Sequence, residues 1–293
     1  MIAARTVKAL HPARRDDIAG LLTRRPLPAP GLEHLDPFLF LNHHGPQLYP
    51  PRNRGLPFGP HPHRGFETIT FILDGELAHR DFHGHESIIR AGGVQWMTAG
   101  RGIVHSELSP SSFLERGGSL EILQLWVNLP ARLKLIEPRY IGLQREDIPE
   151  LPILGGGGAI QLIAGRQGDA EAPIASLTGL HMTTVALDPG AHVRLDAPSD
   201  REVLLYVVRG QVVIGGAPVT PFHLAQLRRD GDEVELVAKQ ETVLLFGHAD
   251  PHHEPIVSYG PFVMNSRDEI VQAIREYEAG AFYRPARPRG RAS

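Results

Sequence analysis

Short runs of alternating apolar and polar residues, separated by turns, extend along most of this chain. Residues 66–73 predict a strand, Asp74 and Gly75 a tight turn, and residues 76–82 the returning strand of a hairpin. The turn is favoured because aspartate and glycine both tolerate a positive φ. Residues 119–127 predict another strand. Since 31 glycines and 26 prolines punctuate such runs, the pattern predicts an all-β sandwich or barrel.

One segment near the C-terminus predicts a helix. Ser266 and Glu269 have the spacing of a capping box, the apolar positions of residues 270–277 share one face, and Gly280 ends the segment. The last ten residues, 284–293, carry four arginines. We interpret them as a disordered, solvated basic tail rather than as a nucleic-acid or membrane contact.

The strand pattern occurs twice. Residues 201–210 echo residues 66–75 at an offset of 135, and residues 244–251 echo residues 124–130 at an offset of about 120. Two similar all-β domains explain both echoes. We place the first domain at residues 1–136 and the second at residues 137–283, ahead of the tail.

Composition narrows the function classes. The apolar content of 42%, the charged content of 22% and the net charge of −3 give no general attraction to nucleic acid or to an anionic membrane. The chain has no cysteine, which excludes disulfides and thiolate ligands and suits a reducing cytoplasm. No apolar run approaches the roughly 20 residues of a spanning helix. We expect a cytoplasmic monomer.

Two short motifs carry the candidate chemistry. His61 and His63 are two residues apart, as are His105 and Glu107. In a strand, residues at this spacing point to the same face, so each pair can aim both side chains at one point. Three imidazoles and one carboxylate would make a mononuclear metal site with open positions for an ion that prefers six ligands.

The repeat serves as an internal control for this site. At the offset of 135, Asp196 and Pro198 stand where the first copy has His61 and His63, and no histidine lies between residues 224 and 247. A requirement of the scaffold would appear in both copies. We therefore predict one metal ion, bound in the first domain, with Fe(II), Mn(II), Co(II), Ni(II) or Zn(II) suited to the donors and Cu(I) disfavoured.

Residues beside the motifs are weaker candidates. Arg64 either orients an anionic substrate or pairs with an acidic neighbour. Glu67 would coordinate the ion or hydrogen-bond a ligand imidazole from outside. His43 and His44 are candidates for the mouth of a substrate pocket. The histidines at positions 83 and 85, in a loop after the hairpin, are interpreted as surface residues.

The longer strings around the motifs resemble the pirin family of the cupin superfamily. They are residues 60–68, Pro-His-Pro-His-Arg-Gly-Phe-Glu-Thr, and residues 94–107, which end in His-Ser-Glu. Residues 36–39 and 79–81 fit the family too, whereas Asn42 and the neighbouring histidines stand where an acidic residue is common. The resemblance implies a bicupin of two face-to-face antiparallel β-barrels, with a few short helices and one C-terminal helix.

The resemblance also implies a metal, usually iron, held by His61, His63, His105 and Glu107 in the N-terminal barrel. Manganese, cobalt, nickel, zinc and copper are the alternatives. The family carries a quercetin 2,3-dioxygenase-like activity and, in animals, a nuclear co-regulator role. We expect an O₂-dependent dioxygenase acting on a flavonol or a related enol aromatic, with Glu107 as the base. The alternative is a metal-dependent binding or co-regulator protein without turnover.

Overall fold

The structure is a computed structural model that describes residues 3–153 and 155–283, so the predicted tail lies outside the described residues. Strands dominate it. The strands before residue 144 are β1 (Val7–Pro12), β2 (Arg14–Arg15), β3 (Thr23–Leu27), β4 (Phe38–Tyr49), β5 (Phe58–His63), β6 (Phe66–Asp74), β7 (Glu76–Asp81), β8 (Glu86–Arg90), β9 (Val94–Thr98), β10 (Ile103–Leu108), β11 (Gly118–Asn128) and β12 (Arg139–Leu143).

The second half repeats this architecture with shorter strands. They are β13 (Glu150–Pro152), β14 (Gly158–Ala164), β15 (Arg166–Gln167), β16 (Ala170–Glu171), β17 (His181–Leu187), β18 (His192–Asp196), β19 (Glu202–Arg209), β20 (Val212–Ile214), β21 (Ala217–Val219), β22 (His223–Leu227), β23 (Glu233–Ala238), β24 (Thr242–Ala249), β25 (Val257–Tyr259) and β26 (Phe262–Met264). The helices are α1 (Ser111–Arg116) and α2 (Arg267–Glu278), with 3-10 turns at Ala131–Leu133, Arg145–Asp147 and Ala281–Tyr283.

Each half pairs a seven-stranded sheet with a four-stranded sheet. In the first half the orders are β12-β9-β6-β11-β4-β3-β2 and β5-β10-β7-β8, and in the second they are β1-β22-β19-β24-β17-β14-β13 and β18-β23-β20-β21. All of these ladders are antiparallel. The all-β bicupin expectation is confirmed.

The two seven-stranded sheets face each other across a shared apolar core. Ile69 and Phe71 of β6 lie in the same buried cluster as Leu204 and Tyr206 of β19. Because side chains alternate along a strand, the residues between them point away from this core and into the barrel of their own half. This alternation decides which residues of β6 can line a site.

The two halves exchange strands, so no single boundary at residue 136 separates the two sets of sheets. Strand β1 pairs with β22 of the second half, and β12 pairs with β9 of the first. Residues of β26 and α2 also pack on Val104 of the first barrel. Each exchange covers a sheet edge or barrel wall that would otherwise be open.

Two local predictions are confirmed in detail. The hairpin β6–β7 turns at Gly75, whose φ of +83° and whose close approach to the Ser119 carbonyl both favour glycine. Helix α2 begins after Ser266, whose hydroxyl accepts from the Glu269 backbone N–H. No helix in the described ranges is long and apolar enough to cross a membrane.

Candidate metal centre

Strands β5 and β10 bring three histidines together. The two strands pair with His105 opposite His61, and the alternation along β5 places His63 on the same side. The ring centroids are 4.4 Å apart for His61 and His105, 4.8 Å for His61 and His63, and 5.0 Å for His63 and His105. One candidate ligand atom from each residue lies within 4.8 Å of the others. Among the described residues, this is the cluster suited to a metal ion.

The surroundings of the cluster leave at least one ring nitrogen of each histidine available to a metal ion. Burial is the largest cause that lowers the pKa of His63 and of His105 well below the usual value. The Nε2 atoms of both are buried without a hydrogen-bond partner. His61 makes a 2.8 Å contact from Nδ1 to the Gly59 carbonyl, so Nδ1 is a donor, and in the neutral tautomer Nε2 keeps the lone pair. These donors fit a divalent transition metal.

Glu107 lies on β10 beside this cluster but is not a member of it. Its Oε1 accepts from the Thr70 hydroxyl at 2.9 Å, and its Oε2 accepts from the Gln124 amide at 2.6 Å. Thr70 and Gln124 are directly opposite each other on β6 and β11. The barrel wall therefore orients the carboxylate from both sides.

A line of polar contacts runs behind His105. Its Nδ1 lies 3.4 Å from Nδ1 of His79, whose Nε2 lies 3.3 Å from Oδ2 of Asp81. His85 contacts the same oxygen at 2.9 Å. Burial raises the pKa of Asp81, but hydrogen bonds from His79 and His85 outweigh burial and lower this pKa to about 2. The histidine ring at position 79 also stacks on Tyr140, with centroids 3.9 Å apart.

Arg64 and Glu67 lie outside this line. Arg64 forms an ion pair with Glu276 and lies over the Phe282 ring. Of its two predicted roles, the structure therefore shows pairing with an acidic neighbour. Glu67 accepts a 2.6 Å hydrogen bond from Thr98. Its position alternates with the residues of β6 that face the barrel interior. The hydrogen-bonding contact to a ligand imidazole that was predicted for Glu67 is made instead by His79.

His43 and His44 are buried on opposite faces of β4. His43 contacts the Tyr206 hydroxyl and the Glu121 carboxylate, each at 2.9 Å, and so lies between the two halves rather than at a pocket mouth. His44 contacts Thr23 at 2.8 Å, and burial lowers its pKa to about 3. Both side chains are almost inaccessible to solvent.

The loop histidines differ from each other. The side chain of His85 is 45% exposed, as expected for a surface residue, yet its ring contacts the fully buried Asp81 side chain. His83 is half-buried, and its backbone N–H donates to Oδ1 of the same aspartate at 2.9 Å. The loop is thus organised around one carboxylate.

A cavity of about 530 Å³ lies beside Trp126, whose ring stands between it and the cluster. Its walls include Phe40 and Trp126 from the first barrel and Ile256 and Val263 from the second half. The Trp126 ring lies 5.3 Å from the ring of His63. The aromatic wall of the cavity is therefore in contact with a candidate ligand.

Sequence reasoning missed three groups that organise this region. Thr70 and Gln124 are ordinary polar positions in a strand pattern, and no motif marks them. Lys134 is 1% exposed and donates to the Gly65 and Val263 carbonyls and to Asn128. Burial lowers its pKa to about 8. No local pattern distinguishes it from a surface lysine, although it ties the C-terminal hairpin to the turn after His63.

Two family descriptions match the chain: Pirin over residues 20–127, and Pirin C-terminal cupin domain over residues 182–283. A Pseudomonas aeruginosa protein named "Putative quercetin 2,3-dioxygenase" is 42% identical over 252 residues, covering 86% of this chain and 88% of the relative. Human pirin is 37% identical over 267 residues, covering 88% and 87%. The similarity extends through both halves.

Solved structures of pirin-like proteins have the same fold as this chain. Quercetin 2,3-dioxygenase from Acinetobacter baumannii matches with a TM-score of 0.89 at 34% identity, covering 96% of this chain and 99% of that one. A nickel(II) complex of a bacterial pirin from Escherichia coli matches with a TM-score of 0.65 at 23% identity, covering 83% and 99%, and shares the fold. On this evidence the chain belongs to the pirin family of bicupin proteins.

Proposed function

We propose that this protein is a metal-dependent dioxygenase that uses O₂ to cleave quercetin or a related flavonol or enol aromatic. The observation that carries the proposal is the convergence of three imidazoles, two of which have buried Nε2 atoms without a partner. His61, His63 and His105 would hold the ion, with Glu107 as the fourth ligand. Its neighbours Thr70 and Gln124 would set the direction from which its carboxylate approaches.

Iron(II) is the proposed cofactor, with manganese, cobalt, nickel, zinc and copper as alternatives. Imidazole and carboxylate donors suit all the divalent ions in this set, and nickel occupies a related pirin of the same fold. When bound, such an ion supplies Lewis acidity and, if it is redox-active, a route for electrons to O₂. The Acinetobacter relative is named for the same reaction class.

The cavity beside Trp126 supports an aromatic substrate. Its volume of about 530 Å³ is within the range of small-molecule pockets. Phe40 and Trp126 offer flat apolar surfaces, with ring centroids 4.7 Å apart. Glu107 would accept the proton of a substrate hydroxyl and later return it. We include a cytoplasmic location and a monomeric state in this proposal; the location rests on the lack of cysteine.

The test is aerobic turnover of quercetin by protein loaded with one defined metal at a time. Loss of quercetin absorbance should require both metal and O₂, with O₂ uptake in step. His192→Gln, in an exposed residue of the second half, is the matched histidine control and should behave as wild type. Metal-loaded protein that consumes no O₂ with any flavonol would support the alternative, a metal-dependent binding or co-regulator protein.

A further inference from the structure

An unbroken line of ionisable side chains joins a candidate metal ligand to the protein surface. From inside to outside the members are His105, His79, Asp81 and His85, with successive contacts of 3.4, 3.3 and 2.9 Å. The first two residues are each 1% exposed and the Asp81 side chain is fully buried, whereas the His85 side chain is 45% exposed. The inner contacts are therefore made away from solvent.

The proton positions along this line follow from donor and acceptor counting. The Asp81 carboxylate only accepts, so Nε2 of His79 must carry a proton, and in the neutral form of the ring its Nδ1 is then a lone pair. That lone pair faces Nδ1 of His105, which must then be the protonated nitrogen. The tautomer leaves Nε2 of His105 free, and this is the nitrogen that lies buried without a partner.

We propose that His79 and Asp81 are positioning residues that hold His105 in the Nδ1–H tautomer required for metal binding through Nε2. The inference rests on the proposed ligation of the ion by His105. His79 and Asp81 thereby prepare the ligand before any ion arrives. Outer contacts of this kind typically account for a 10- to 100-fold difference in metal affinity.

Two features keep the line rigid. Oδ1 of Asp81 accepts the backbone N–H groups of His83 and His85 at 2.9 and 3.1 Å, which leaves Oδ2 for the two rings. The ring of His79 is nearly parallel to Tyr140, with an interplanar angle of 13°. The carboxylate and the imidazole are thus fixed independently of each other.

Substitutions at His79 separate proton acceptance from packing. In His79→Phe the ring remains able to stack on Tyr140, but no acceptor faces His105; we expect Zn(II) affinity to fall about 10- to 100-fold. In His79→Gln the side-chain oxygen is able to accept from Nδ1, so affinity should stay within about threefold of wild type. Zn(II) affinity is measured by competition with a chromophoric chelator, with thermal denaturation as the folding control.

Asp81→Asn tests the outer link. The amide oxygen would stay with the two backbone N–H groups, which would turn the amide N–H toward His79 and force the opposite tautomer along the line. We expect a loss of Zn(II) affinity similar to that of His79→Phe. His85→Gln, at the exposed end, removes the imidazole contact with Oδ2 of Asp81 but leaves the inner line intact, and should change affinity by about twofold at most.

The ring nitrogens are read directly by two-bond ¹H–¹⁵N correlation spectra of the metal-free protein. Wild type should show His105 protonated at Nδ1 and unprotonated at Nε2, and Asp81→Asn should reverse this. An Nε2–H tautomer in metal-free wild type would overturn the proposal. So would wild-type affinity in both His79→Phe and Asp81→Asn while His105→Ala abolishes binding. If His105→Ala leaves binding unchanged, the ligand assignment fails instead, and the tautomer spectra still decide the role of the line.

Discussion

The two barrels share the same arrangement of strands, but the interior of the first is polar and that of the second is apolar. In the first barrel Thr70 of β6 is opposite Gln124 of β11, and both hold Glu107. In the second barrel the corresponding ladder places Leu205 opposite Phe246. Both of these residues belong to one buried apolar cluster. The same strand positions therefore support a polar site in one barrel and a filled core in the other.

The ligand strands show the same contrast. The pair His61 and His105 across β5 and β10 has its inward-facing counterpart in Leu195 and Val234 across β18 and β23. Both counterparts are buried in the apolar cluster of the second barrel. Asp196, which the offset of 135 aligns with His61, is exposed. In the described part of the second barrel, apolar side chains thus take the inward positions that the candidate ligands hold in the first.

The barrel mouths differ in a subtler way. Phe40 and Trp126 are paired across the first mouth. By the same register, the second barrel places His181 opposite His248, with ring centroids 4.6 Å apart and an interplanar angle of 10°. An aromatic wall beside a cavity is thus replaced by a stacked, buried histidine pair. Together these differences place the polar interior with the histidine cluster in the first barrel and an apolar interior in the second.

The largest expected effect is on metal content. One ion per chain should bind to wild type, and replacing His61 and His63 together by Ala should abolish binding because two of three converging imidazoles are lost. The matched control is the double substitution of His181 and His248 by Ala, which should leave metal content unchanged. Elemental analysis checks both. Two ions per chain, or one ion retained in the first variant, would remove the distinction between the barrels.

The next effect concerns the filled interior. Phe246→Ala should lower the free energy of unfolding by about 3–5 kcal/mol, since it leaves a cavity in the second barrel. Gln124→Ala, at the equivalent position of the first barrel, should cost only about 1 kcal/mol, mainly a hydrogen bond to Glu107. Denaturant unfolding of metal-free protein measures both. Equal losses would mean that the two interiors are equally dependent on apolar packing.

Removing the proposed base should affect turnover more than binding. Glu107→Gln keeps an oxygen for the ion but cannot accept a proton, so kcat for quercetin should fall by roughly 10²-fold or more while some metal is retained. Glu235→Gln, on the exposed side of β23 in the other barrel, is the carboxylate control. Equal turnover by wild type and Glu107→Gln at matched metal content would exclude Glu107 from the mechanism.

The smallest expected effect is a pH dependence of stability that comes from the histidine pair of the second barrel. Burial is the largest cause that lowers the pKa of His181 to about 4 and of His248 to about 2. Below about pH 6.5 the unfolded chain binds these protons and the folded chain does not. The contribution of these two histidines to the free energy of unfolding of metal-free protein is therefore fully present above that pH. As pH decreases toward the folded pKa values, this free energy should fall by about 1.4 kcal/mol per pH unit for each histidine.

The measurement compares urea midpoints at pH 7.5 and 5.5. Replacing both His181 and His248 by Phe would give the second barrel an aromatic pair like that of Phe40 and Trp126. The loss of stability between the two pH values should then shrink, because two buried neutral imidazoles are removed. An undiminished loss would place the acid sensitivity elsewhere, for example at His44.

Much of the architecture could be predicted from local patterns. The alternation around residues 66–82, the Asp74–Gly75 turn and the Ser266 cap all reflect interactions between near neighbours, which a sequence displays directly. The repeat is also visible in the sequence, but the strand ladders refine its second offset. They align Thr70 with Leu205 and Gln124 with Phe246, so residues 124–130 correspond to the second half at an offset of 122, where the sequence indicates about 120. A two-residue shift preserves the facing direction, which is why the pattern alone did not reveal it.

The sequence by itself determined that His61 and His63 share one strand face and that His105 and Glu107 share another, because residues two apart in a strand point the same way. The pairing of β5 with β10 in the folded barrel brought the two pairs together. Only the tertiary structure decided which neighbours complete the site. Thr70 and Gln124 reach Glu107 through ladder register, His79 reaches His105 across β7 and β10, and His43 turns to the other half. These contacts join strands distant in sequence, and register between such strands is set by packing of the whole barrel rather than by any local pattern.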